Sequence, residues 1–302
     1  MASHCLVVMA VLFIFNTAAL AQGATGVQDT TSVGEGQKWN VSCSGYFQVK
    51  ASTGKQGFSL PFSKFFLDGR LGKKLSATLE LRPFDGNPIQ KAYIGYSLNP
   101  LATILAGQIS NPIKYIEPQP EENKFTSYAL YQHYVANPDD IGLAVYGERK
   151  TFLYYVCLVN GTGRNTPEDN QAKDVAGYIS FTPLSAFCLE IAGQTGKQPT
   201  FLRQAGFIRG TFKPLSALEI QLASMGRTDL KEWGWYASSS YLFSWLSLNT
   251  RLHRTTQKDN QEWTVGIQAN DSDFKFTVDA SFGRRQHPSF AAVMQLYIKG
   301  KE

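Results

Sequence analysis

From Lys38 onward, apolar and polar residues alternate along the chain. Residues 262–269 read EWTVGIQA, which sets Trp263, Val265, Ile267 and Ala269 on one face and Thr264, Gly266 and Gln268 on the other. Residues 274–282, FKFTVDASF, place Phe274, Phe276, Val278, Ala280 and Phe282 opposite Lys275, Thr277, Asp279 and Ser281. A period of two is the strand period. Here one face is strongly apolar, and the other carries charge, amide and hydroxyl groups. The same rhythm predicts strands over 38–50, 62–71, 74–83, 88–98, 102–110, 140–148, 151–160 and 174–182. It continues over 185–194, 200–212, 215–226, 231–243, 245–255, 260–269, 273–284 and 289–299. Many short strands with turn signals between them predict a sandwich or a barrel. Strands of about ten residues with an apolar outer face, behind an export signal, predict an all-β fold: a transmembrane antiparallel β-barrel of about 16 strands.

The connections differ in length. Residues 82–88, 98–101, 182–185 and 213–216 read as tight turns rich in Pro, Gly and Asn. Residues 111–139 and 161–173 read as longer ones. Short turns at one end and long loops at the other are the habit of such barrels. The 111–139 stretch has two readings, a constriction folded into the pore or an ordinary surface loop.

The N-terminus supplies the export signal. Residues 6–15, LVVMAVLFIF, are apolar, and Ala19-Leu20-Ala21 is a small-x-small cleavage pattern. No Lys or Arg precedes the apolar run, which is short for a spanning helix of about 20 residues. Residues 1–21 are therefore read as a cleaved signal peptide, 22–37 as a flexible Gly-rich leader and 38–302 as the barrel. This order predicts export through the periplasm to an outer membrane.

Composition changes little in this picture. The length of 302 residues fits one large β domain, and the net charge of +5 lies wholly outside residues 1–22. A mean hydropathy of −0.21 does not speak against a barrel, because half of each strand faces water. Trp39, Trp233, Trp235, Tyr241, Trp245 and Tyr297 lie near strand ends, where amphipathic rings suit a membrane interface. Cys43, Cys157 and Cys188 remain after the signal, without CxxC, and indicate neither a metal site nor a disulfide framework. His4, His133, His253 and His287 belong to no local catalytic motif, and GxSxG and HExxH are absent. The expectation is a non-enzymatic protein with no cofactor, no metal and no nucleic-acid partner.

The polar faces carry the candidate chemistry. With apolar faces toward lipid, Lys64, Arg70, Arg82, Lys91, Arg203, Arg209, Arg251 and Lys275 point into the lumen as pore-lining, anion-binding candidates. Asp68, Glu80, Glu190, Glu219, Glu232 and Asp279 point there too. Arg and Lys in a pore lower the energy of anions, and Arg offers a planar donor fork to oxyanions. The expected function is passive diffusion of small hydrophilic solutes with a preference for anions. A non-selective general porin and an occluded structural or adhesive surface barrel are the alternatives.

Two stretches resemble the phosphate-selective porin O/P family. Residues 140–184 carry a strand ending in Asn160-Gly161, a polar turn from Asn165 to Asn170, the pair Lys173-Asp174 and then Pro183. Upstream, QKAYIGYSLNPLATILAGQISNPI holds Gly107-Gln108 and Asn111-Pro112 at matching positions. The resemblance implies an outer-membrane barrel set in lipid, assembled as a homotrimer, that passes small anions such as phosphate. Lys91 before Ala92, the arginine-poor FFLDGRLG and the C-terminal YIKGKE depart from that pattern.

Overall fold

The computed structural model describes residues 39–53, 57–59, 63–117, 124–130, 134–135, 138–166, 171–197, 202–256, 260–271, 273–283 and 288–299. The expected signal peptide and leader, with His4, His133 and His287, lie outside the described residues.

The alternating pattern forms strands where it was expected. In chain order they are β1 (Trp39–Ser52), a two-residue β2 (Phe58–Ser59), β3 (Lys64–Leu71), β4 (Leu75–Leu81), β5 (Ile89–Asn99) and β6 (Ala102–Ser110). Then come β7 (Asp139–Arg149), β8 (Phe152–Val159), β9 (Asp174–Leu184), β10 (Phe187–Lys197), β11 (Leu202–Leu215) and β12 (Leu218–Arg227). The last are β13 (Glu232–Phe243), β14 (Leu246–Thr255), β15 (Asn260–Asn270), β16 (Phe274–Gly283) and β17 (Ser289–Lys299). Each long strand pairs antiparallel with its neighbour in sequence. The sheet then closes on itself. Residues 44–52 of β1 pair with β17, while residues 39–46 pair with β3. Setting aside β2, which pairs only with Lys50 and Ala51, sixteen strands form a closed barrel without a free edge.

Side chains alternate across the wall as the pattern demands. Trp263 is 51 % exposed on the outside while Thr264 beside it is fully buried. Ile267, Phe276, Met294 and Leu296 are outside; Gln268, Lys275, Thr277 and Asp279 are inside. The outer wall is thus a continuous apolar surface of the kind lipid covers. Trp39, Tyr241 and Trp245 stand outward near one rim and Trp233 near the other. Tyr297 departs from the expected belt. It shares the inward parity of Val293 and Gln295, and its ring meets that of Tyr46 edge-on at 6.4 Å.

The connections sort by end. Residues 72–74, 100–101, 150–151, 185–186, 216–217, 244–245 and 271–273 turn at one rim, together with Trp39 and Lys299. The connections over 111–138 and 160–173 lie at the other rim. The 82–88 connection also belongs to this loop rim, so its tightness by composition does not place it with the other short turns. Gly142 marks a close approach of β7 and β8: a Cβ there would meet Leu158 O at 2.1 Å.

Candidate pore and the loop inside it

The described parts of the 111–138 connection, residues 111–117, 124–130 and 134–135, fold into the barrel. Asn111 starts the turn inward: its side chain accepts a hydrogen bond from Ile113 N (3.1 Å), and its own amide donates to Pro138 O (3.0 Å) across the base of the loop. Pro112 then opens a short 3-10 turn, Pro112–Ile116. Ile113, Ile116, Ala129, Leu130 and Tyr134 bury against Ala192, Phe207, Ala223, Met225 and Tyr236, which project inward from β10 to β13. An apolar patch inside a polar lumen needs a cover, because each buried aliphatic side chain contributes roughly 1.5–3 kcal/mol. The loop is that cover.

Polar contacts complete the attachment. The Glu117 carboxylate accepts the amides of Ala129 (2.7 Å) and Leu130 (2.8 Å), which folds the loop on itself. Arg209 Nη1 and the Tyr236 hydroxyl both donate to Ile116 O, at 3.1 and 3.2 Å. Arg251 donates to Ser127 O (2.9 Å), stands over the Phe125 ring at 4.4 Å and lies 3.6 Å from Glu117. On the opposite side, the amide and hydroxyl of Thr126 donate to Asp279 on β16 (2.6 and 2.7 Å), and Lys50 Nζ on β1 donates to Thr126 O (3.0 Å). Lys114 is buried against Asp139 at 2.7 Å, and desolvation pulls its pKa down despite that carboxylate.

The eight basic candidates do not converge. Lys64 and Lys91 share one carboxylate, Glu80, at 3.0 and 2.6 Å. Arg203 pairs with Asp174 toward the loop rim and donates to Gly161 O at 3.0 Å. Arg209 grips Glu190 with two parallel bonds, 2.6 and 2.7 Å. Lys275 is buried on the inner face of β16, opposite Gln295. Arg70 is exposed on the inner face of β3. Arg82, expected inside a strand, lies just past the end of β4 at the loop rim. Of the eight, Arg209 and Arg251 line one cavity together. Among the acids, Glu80, Glu190 and Glu219 are all engaged by bases.

Two cavities flank the docked loop. The smaller, about 400 Å³, is lined by Arg209, Arg251, Lys124 and Lys213 against Glu117, Glu190 and Glu219. Its four bases and three acids nearly cancel. The larger, about 1050 Å³, lies along the wall from β1 to β9, and Asp68 and Arg70 are its charged lining groups. Between the two runs a relay: the Tyr178 hydroxyl, from the wall of the larger cavity, donates to Glu190 (2.6 Å), which holds Arg209 in the smaller. Alternation did not single out the tyrosines of the larger cavity or the inward Phe207 and Met225. Their only sequence signal is a strand apolar on both faces, as in IAGQ and FIRG flanked by further apolar residues.

Comparisons with known proteins bear on the fold. No protein-family model matches the chain, and no curated protein matches it. Among solved structures, a loop-L8 deletion mutant of OmpT, an outer membrane protein of Vibrio cholerae, aligns at 10 % identity over 86 % of this chain and 99 % of its own, with a TM-score of 0.67. A triple mutant of the Rhodopseudomonas blastica porin aligns at 11 % identity over 86 % and 100 %, with a TM-score of 0.63. At these identities the likeness is one of fold, that of porin-type outer-membrane barrels.

Proposed function

We propose that this chain is an outer-membrane channel through which small hydrophilic solutes diffuse passively. The observation that carries the reading is the position of the loop. It docks on β10–β14 and touches β16, β1, β7 and β9, and a cavity of about 1050 Å³, lined by tyrosines and by polar groups of β1, β3 and β4, remains along the wall from β1 to β9. The likeness to porin barrels supports the same reading and the outer-membrane location.

The charges support only a weak preference for anions. Selective capture of an oxyanion such as phosphate needs several unpaired Arg or Lys at one point. Here Lys64, Lys91, Arg203, Arg209 and Arg251 each stand beside a carboxylate. The single excess base of the smaller cavity tilts the field toward anions by a modest amount. Reconstitution in a planar bilayer tests the proposal. It expects stable ohmic steps and a reversal potential in a KCl gradient displaced slightly to the chloride side. A barrel that inserts and gives no steps supports instead the occluded structural barrel, which the Thr126–Asp279 tie across the lumen favours.

A further inference from the structure

The larger cavity has two chemically different walls. On β1, β3 and β4 the strand register assembles a small polar lattice. Asn40, Arg70 and Ser76 form one rung across the three strands, and Ser42, Asp68 and Thr78 form the next. Members of a rung lie about 4.8 Å apart from strand to strand, and successive rungs roughly 7 Å apart along the strand. The six groups mix donor-only, acceptor-only and dual functions: guanidinium, carboxylate, amide and three hydroxyls. The second wall is aromatic. Tyr146, Tyr155 and Tyr178 are direct cross-strand partners on β7, β8 and β9, so the register sets them in one row across the wall. Tyr93 joins the two walls, being the register partner of Thr78, and Tyr115 enters from the loop.

Two members of the row are held at their hydroxyls. Tyr155 donates to Ser110 O (3.0 Å) and Tyr178 to Glu190 (2.6 Å). Tyr155 is nearly buried and the Tyr178 ring packs against Tyr115 at 5.5 Å, while the half-buried Tyr93 and Tyr146 line the cavity with part of their rings. A solute matched to both walls has an apolar CH face and a rim of hydroxyls that both donate and accept. It also carries no net charge, because an ion attracted by Arg70 is repelled by Asp68 two residues along the same strand face, and the reverse.

We infer that the larger cavity is a binding subsite for neutral polyhydroxylated ring solutes, that is, sugars, which pack against its tyrosine-lined wall at Tyr93 and Tyr146 and hydrogen-bond the lattice of β1, β3 and β4. This deepens the channel reading and rests on it for its place in transport. Pockets that bind small molecules share this composition, an aromatic lining with a few placed polar groups.

Calorimetric titration of the detergent-solubilised full chain with maltotriose tests the inference without requiring conduction. The expected result is saturable heat with a millimolar Kd. Tyr146→Ala should weaken it about fivefold, since one aromatic contact contributes on the order of 1 kcal/mol. Tyr146→Phe keeps the ring and should retain wild-type affinity. No saturable heat with the wild-type chain overturns the inference, as does equal affinity in Tyr146→Ala. Chloride conductance, measured separately, reports on the channel reading. Sugar binding without conductance defeats that reading alone, and conductance without sugar binding defeats the subsite alone.

Discussion

Asp279 on β16 receives both the amide and the hydroxyl of Thr126, at 2.6 and 2.7 Å, so one wall carboxylate holds the inward loop from the side opposite its apolar dock. The loop is therefore attached by two unlike means: buried hydrocarbon on β10–β13 and charge-assisted hydrogen bonds on β16. The first is non-directional and the second sets position.

Asp279→Ala removes the β16 tie and leaves the apolar dock, with Lys50 and Arg251 still bonded to the loop. Open-channel current noise should rise, because the loop tip then moves in the lumen, while the barrel's unfolding midpoint shifts little. Noise identical to wild type in bilayer recordings would show that the tie does not position the loop.

The Glu190–Arg209 pair should control selectivity in opposite senses. Glu190→Gln leaves Arg209 unneutralised and should move the reversal potential toward anions, whereas Arg209→Gln should move it toward cations. Both side chains are nearly buried, so either single change should also lower stability by about 3 kcal/mol, and the double change by less. Shifts of the same sign in a salt gradient would rule out this account.

Arg at the outward Val265, in the middle of β15, should cost about 2–4 kcal/mol in a refolding titration into lipid. Arg at the inward Ser238, which lines the smaller cavity and has room to extend, should cost distinctly less. Equal costs would mean that the two faces are not lipid and lumen.

Gly206→Ala should be tolerated, because a Cβ there meets nothing nearer than Ala192 O at 3.5 Å. Gly142→Ala should destabilise by about 1–3 kcal/mol, since the clash at 2.1 Å is with the backbone of the neighbouring strand and forces the pair apart. Denaturation midpoints of the two variants check the contrast; indistinguishable midpoints would contradict the β7–β8 spacing.

The chain by itself determined what depends on neighbouring residues alone. Trp263 and Thr264 must point to opposite sides of any strand that contains them, so strand number, approximate boundaries and the lipid-facing set follow from the period of two. Other features depend on which strands lie side by side and in what register, and only the tertiary structure decided them. Lys64 and Lys91 share Glu80 because β3 and β5 both flank β4. Tyr146, Tyr155 and Tyr178 are far apart along the chain and become a row through pairing. The loop's inward path was open in the sequence. It is settled by an apolar patch, Phe207 with Ala192, Ala223 and Met225, that exists only once three strands are aligned. A lumen's charge balance and its obstruction are sums over the whole circumference, and closure of the ring is what brings their terms together.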